Sequence, residues 1–437
     1  MIEPRFRIEV DWPNTPATEE RDSAQMSIRV GDHVLTRLAD VRTSALRDHL
    51  RASAVSLALW FADNWWRLRW ESLPDSRRPS ADWRLRHELT SAPGGTTWPP
   101  LMIYGTGARV VLSPGFGVNL SSGPVRHLDL NVVYALDGRD YEAGLDAFFE
   151  DVLNTCAKAQ DGAALDLLIA ELRNERKDPE QSAWRRLEAR LGYDADEAPP
   201  ELIEGLADLE NDLGEGAIEE AATAVPGREA GLILNKVVEA SQASNIELDL
   251  SIAEEVPVDI LTPGGIPWRL GEEAAWTLRK RVGLSAGPMP NADLAELLRA
   301  PWSNLKTAPA TAQRLPYAAR LHTNDRTSRA ALQTKWAIDR RFELARIIGD
   351  EVWARQDRFG VIGRAKTERQ KFQRAFAQSL LCPFSDLHRH VDIASPTEEQ
   401  ISHAARVFDV RPSVVQTLLV NKGVLPRETL EDRLEAA

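Results

Sequence analysis

Charge is laid out along this chain in three blocks, and the layout limits how each block can fold. Residues 1–136 hold 16 basic and 15 acidic side chains, residues 137–259 hold 10 and 31, and residues 260–437 hold 27 and 20. The strongly acidic middle must gather its apolar residues on one side to bury anything, and a 3.6-residue period does this. Apolar positions recur at that spacing over 142–158, 162–176, 181–191, 200–212 and 215–223, with a further run near 228–243. Pro199-Pro200, Gly214 and Pro226-Gly227 punctuate them. The block reads as helices with solvated acidic faces.

At 437 residues the chain is long enough for two or three domains. With 43% hydrophobic and 27% charged residues it has a globular composition. Its two cysteines, Cys156 and Cys382, are too few for a disulfide framework or a cysteine-only zinc site. No run of about 20 apolar residues marks a membrane span, and the first residues lack an apolar leader, so the expectation is a cytoplasmic protein with no membrane partner.

The first block reads as mixed α/β. Phe6–Asp11 alternates as a half-buried strand does, and Gln25–Val30 runs into a Gly31-Asp32 turn. Met102–Tyr104 and Arg109–Leu112 flank Gly105-Thr106-Gly107 as a hairpin, and His127–Tyr134 alternates again. Leu46, Leu50, Val55, Leu57, Leu59 and Trp60 suggest a helix over 43–62. Seven of thirteen tryptophans fall in the first 98 residues. The stretch Phe61–Trp70 interleaves aromatic and basic side chains, which fits a core with arginine stems along it, or a surface that stacks bases.

The third block reads as a strand over 246–262, then helices near 271–282, 291–299, 327–357, 365–381, 397–408 and 412–421. The expected fold class is α+β: a Trp-rich β-containing domain over 1–136, an acidic helical segment over 137–245, a mostly helical domain over 246–395 and a helix-turn-helix-like unit over 396–437. Thr397 and Gln400 form a capping-box pattern, and Pro412 stands at a helix start. Ser413, Gln416 and Thr417 are the residues such a unit would offer to DNA.

One stretch carries more than fold. Arg341-Phe342-Glu343-Leu344-Ala345-Arg346-Ile347-Ile348-Gly349-Asp350 is followed some twenty residues later by Glu368-Arg369-Gln370 and Phe376-Ala377-Gln378-Ser379-Leu380-Leu381-Cys382-Pro383. This order resembles the ImmA/IrrE family of zinc metallo-endopeptidases over about residues 325–426. The resemblance implies a zincin-like domain in which RFxLAHExxH supplies two histidines and a general-base glutamate. The next helix supplies a third ligand, a glutamate, ahead of FAxxLLMP. Two histidines at i and i+4 share a helix face and reach one zinc. Here the framework residues are kept and the chemical ones are not. Arg346 and Asp350 occupy the histidine positions, Ile347 the general-base position and Gln370 the third-ligand position. Arginine has no lone pair for a metal.

Neither a catalytic residue nor a metal ligand is therefore expected in that stretch. Arg346 and Asp350 would form a helix-surface pair, or together with Gln370 line the floor of a groove that holds a protein partner without cutting it. The function this implies is a cofactor-free, non-catalytic protein that binds a regulatory, toxin or defence partner. Two alternatives stand beside it. One is an active zinc endopeptidase with relocated ligands, drawn from His87, Glu88, His388 and His390, that cleaves a repressor-type regulator. The other is a nucleic-acid-binding regulator using residues 306–374, where 16 basic residues face 7 acidic ones.

Overall fold

The computed structural model describes residues 6–13, 22–76, 78–95, 98–115, 125–128, 130, 132–156, 162–261, 264–284, 286–307, 314–324 and 326–426. The fold is α+β, with small antiparallel sheets. The chain forms two compact units, one of residues 1–203 with 226–228, the other of residues 204–225 with 229–437.

The first unit runs β1 (Phe6–Asp11), β2 (Ser23–Val30), β3 (His33–Val34), β4 (Leu38–Asp40), β5 (Ala45–Arg47), β6 (Leu50–Ser53), α1 (Ala54–Asp63), α2 (Trp65–Trp70) and α3 (Ala81–His87). It continues with β7 (Leu101–Gly105), β8 (Arg109–Pro114), β9 (Val125–His127), β10 (Tyr134–Asp137), α4 (Gly138–Cys156), α5 (Gly162–Lys177) and α6 (Pro179–Arg190). Helix α7 (Pro200–Leu213) carries the chain into the second unit.

Strand β1 pairs with β2 so that Phe6 faces Val30 and Ile8 faces Ile28, all four buried. This alternation is what the sequence pattern demands of a sheet with one face covered. Helix α4 covers it, with Tyr141, Leu145, Phe148, Phe149 and Val152 buried at helical spacing and the Tyr141 ring 5.0 Å from Phe6. The first helix of the acidic block thus completes the N-terminal core. The expected hairpin forms between β7 and β8. Trp65, Trp66, Arg67 and Arg69 are buried, so the aromatic–basic stretch is interior rather than a base-stacking surface.

The helix expected over 43–62 begins only at Ala54. Before it, β5 and β6 are strands, and Leu50 pairs with Met26 of β2. Cross-strand pairing overrides the helical spacing of Leu46 and Leu50.

The second unit contains α8 (Glu215–Ala224), α9 (Ala230–Gln242), β11 (Glu247–Asp249), α10 (Pro267–Arg281), α11 (Asn291–Leu297), α12 (Trp302–Leu305), β12 (Ala318–His322) and β13 (Thr327–Ala331). After these come α13 (Ala337–Trp353), β14 (Phe359–Ile362), α14 (Glu368–Leu381), α15 (Phe384–Leu387), α16 (Glu398–Phe408) and α17 (Pro412–Asn421).

Its sheet has the order β11-β13-β12-β14, all antiparallel. The long helix expected over 327–357 is therefore a strand followed by a helix. Thr327–Ala331 has a neighbour to pair with on both edges, and those ladders outweigh the helical preference of its arginine and alanines. The strand expected over 246–262 shrinks to Glu247–Asp249, after which the chain makes 3-10 turns at Ser251–Glu255 and Val258–Ile260.

Helices α10 and α13 both pack on α14. A Cβ at Gly271 of α10 would lie 2.6 Å from the Phe372 carbonyl, so only glycine lets α10 approach the α14 backbone this closely. The capping box at Thr397 and Gln400 and the helix-starting Pro412 are both present. Among the described residues no helix is long and apolar enough to cross a membrane.

Candidate functional site

Helix α13 places Arg346 and Asp350 one turn apart, and α14 lays Arg369, Gln370 and Gln373 alongside them. Arg346 and Asp350 do not pair with each other. Arg346 Nη2 donates to the carbonyl of Gly363 (2.7 Å), to Gln370 Oε1 (2.6 Å) and to Gln373 Oε1 (3.0 Å). Asp350 accepts from Arg369 Nε (2.6 Å) and Nη2 (3.0 Å), from Arg320 Nε of β12 (2.9 Å) and from Gln373 Nε2 (2.6 Å). Gln373 thus joins two networks, one around a guanidinium and one around a carboxylate. Arg369 also reaches Asp357 (2.5 Å).

Relative exposure is 8% for Arg346 and zero for Asp350 and Gln370. These residues are neither a surface pair nor an open groove floor, and both expectations are corrected. The reason is polar pairing: a buried charge is costly without partners, and here the partners close over Asp350 and over Nη2 of Arg346, while Arg346 Nε is left without one among the described residues. The sheet contributes to this closure. A Cβ at Gly360 of β14 would fall 1.9 Å from Asp350 Oδ2, so a glycine is needed where the carboxylate passes.

Gln370 explains its own identity. Its Nε2 donates to Glu220 Oε2 (2.9 Å) and the Val361 carbonyl (2.8 Å), and its Oε1 accepts from Arg346 and from the Gly363 amide (2.9 Å). A glutamate here would turn an acceptor toward two acceptors.

Burial works to raise the Asp350 carboxyl, but Arg369 and Arg320 overcome it and hold the group below the usual carboxylate range. Asp357 goes the other way, since burial and the nearby Asp350 charge outweigh Arg369. Burial pushes Glu343, on the same helix, up to about 7, even though backbone amides of Gln333 and Thr334 donate to it. Burial and the charge of Arg374 push the Arg346 guanidinium down.

The residues at the four ligand and base positions do not suit a zinc ion. Arg346 is a cation with no lone pair to offer, Ile347 is apolar, Gln370 is saturated, and the one anion, Asp350, is already neutralised by two guanidiniums.

The alternative ligands are no better placed. His87 is fully buried at the end of α3 and stacked on Trp83 at 4.0 Å, with Nδ1 on the Ile103 carbonyl (2.6 Å) and Nε2 on Glu71 (2.8 Å). Glu88 turns away to Arg84 (2.8 and 2.9 Å). In the other unit, His388 is exposed beyond α15, while His390 packs edge-on against Phe408. Among the described residues no group of three or more His, Cys, Asp or Glu is placed to hold a metal ion.

The basic stretch 306–374 spends much of its charge inside. Arg320, Arg340, Arg341, Arg346 and Arg369 are buried. Arg340 donates to the Leu305 and Thr334 carbonyls (2.6 and 3.1 Å), and Arg341 to Asn291 (2.5 Å) and the Met289 carbonyl. Gln416, expected to face DNA, is buried too.

Arg320, Arg369, Gln373 and Glu220 were not singled out in the sequence. The signal in α14 was present: Arg369, Gln370 and Gln373 share a helix face, a polar triplet at a spacing that α13 covers. For Arg320, between Ala319 and Leu321 in a strand, nothing local gives its role away.

Comparison with models of known protein families, with curated proteins and with solved structures returns no match. The ImmA/IrrE resemblance of residues 325–426 therefore rests on its motifs.

Proposed function

We propose that the second unit is a non-catalytic, metal-free relative of the ImmA/IrrE peptidases and that the protein works by binding a protein partner. One observation carries the reading. At the positions where the resembled family binds zinc, α13 and α14 are joined by a closed hydrogen-bond network of Arg346, Gln370, Gln373, Asp350, Arg369 and Arg320. Such a network supplies the cross-link a metal would otherwise give and leaves no position for a polarised water.

Because these residues are sealed, the partner is held elsewhere on the surface and not in the space between the two helices. The test is elemental analysis of the full chain purified from zinc-supplemented medium, with and without a chelator wash. Substoichiometric zinc and an unfolding curve indifferent to the chelator are expected. One zinc per chain, resistant to washing, would overturn the proposal.

A further inference from the structure

A surface cleft of about 540 Å³ lies in the second unit, between the 3-10 turn at Ser251–Glu255, the end of α10 and helix α11. Part of its lining is apolar: Ile252, Val282, Leu284 and Leu297 are partly buried and rest on the unit's hydrophobic core. Its rim is acidic, with Glu255, Asp293 and Glu296. None of these three carboxylates makes an ion pair or side-chain hydrogen bond with the described residues. The cleft's arginine, Arg299, is turned to Asp249 at 3.2 Å.

We propose that this cleft docks a basic amphipathic segment of the protein partner. The inference deepens the function proposed above by naming the chemistry of the partner. The volume is within the range of about 300–1,000 Å³ typical of clefts that hold ligands. The apolar part of the lining offers burial to a few apolar side chains. The unpaired anionic rim selects the sign of the occupant and repels nucleic acid and anionic lipid. A metal ion does not explain the rim, because no group of three or more such side chains converges to hold one among the described residues. A segment with apolar residues at i, i+3, i+4 and i+7 and lysine or arginine between them meets both features at once.

The probe is a fluorescently labelled synthetic helix of that pattern, built from leucine, lysine and arginine, titrated with the full chain and followed by anisotropy. Its counterpart with glutamate in place of the basic residues is the control peptide. Saturable one-to-one binding is expected, weakened about tenfold or more in Glu255→Lys/Asp293→Lys/Glu296→Lys and with added salt. The exposed triple Glu201→Lys/Glu204→Lys/Asp208→Lys makes the same change in net charge at residues that do not line the cleft and should bind like the parent. The milder Glu255→Gln/Glu296→Gln preserves shape and should weaken binding about threefold, which keeps the test sound if the lysine triple misfolds.

Equal losses in the two lysine triples, no saturation, or equal binding of the glutamate peptide would each sink the proposal. A failure here with zinc-free protein would remove the cleft alone. Stoichiometric zinc would remove the functional reading whatever the peptide does.

Discussion

Each unit holds a buried cluster of charged residues, and the two clusters are built differently. In the first unit Arg67 bridges Glu71 (2.6 Å), Asp194 (3.0 Å) and Asp82 (3.3 Å), His87 rests on Glu71, and Arg86 also reaches Asp194 (2.5 Å). That cluster opens to water at its edge, where the Asp82 side chain is 63% exposed and Asp194 25%. In the second unit Asp350 and Arg320 are wholly inside and Arg369 nearly so. The open cluster can replace a lost partner with water, and the sealed one cannot. The sealed cluster should therefore behave as a structural joint that is costly to break, and the open one as a tolerant ion-pair array.

Asp350→Ala tests this most severely. It leaves the buried Arg320 with Glu351 and Arg369 with Asp357 as their remaining carboxylates and removes the one that both share, which should cost about 3–5 kcal/mol, read by urea unfolding of the full chain. Asp194→Ala, the matching loss in the open cluster, should cost only about 1 kcal/mol because Asp82 and water remain for Arg67. Equal losses would break the comparison. Next in size is Gln370→Glu, which restores the residue type the resembled peptidases use. Against Glu220 and the Val361 carbonyl it should destabilise by about 2–3 kcal/mol at neutral pH rather than recover zinc binding. Smaller again is the coupling in an Arg346→Met/Gln370→Leu cycle. Each single change leaves a buried partner unsatisfied, so the double should be milder than the sum by about 1–2 kcal/mol.

The sequence disclosed these clusters unevenly. Period and punctuation located α4 to α9, the β7–β8 hairpin and the capping box, because local chemistry dictates each of them. The second unit's sheet was missed almost whole. Its strands are short, and β12 and β13 are rich in alanine, so their identity comes from pairing partners distant in the chain. Arg346, Asp350 and Gln370 were legible as departures from a metal-binding pattern. Their burial was not, since it depends on Arg320 from a strand and Glu220 from a helix more than a hundred residues earlier. His87-Glu88 shows the same limit from the other side. The pair imitates half of a zinc motif, yet Glu71 and Arg84 claim its two side chains.

A pH-dependent effect separates the sealed cluster from its own helix. Glu343 stands on α13 one turn before Arg346, and its carboxyl is raised to about 7 from an ordinary 4.5, chiefly by burial. Between those values the unfolded chain has already lost this proton while the folded chain keeps it. The contribution of Glu343 to stability therefore falls as pH rises from about 4.5 to 7 and stays low above. Asp350 has the opposite sign: its carboxyl is depressed, so what it contributes is present at neutral pH and lost on acidification. Glu343→Gln keeps an oxygen for the Gln333 and Thr334 amides but cannot ionise. It should match the parent near pH 4.5 and exceed it by up to about 3 kcal/mol at pH 8, measured as the difference between urea midpoints at the two pH values. A variant no more stable than the parent at pH 8 would mean that the Glu343 site accepts a charge as readily as water does. The closure inferred for this stretch of α13 would then end at Arg346.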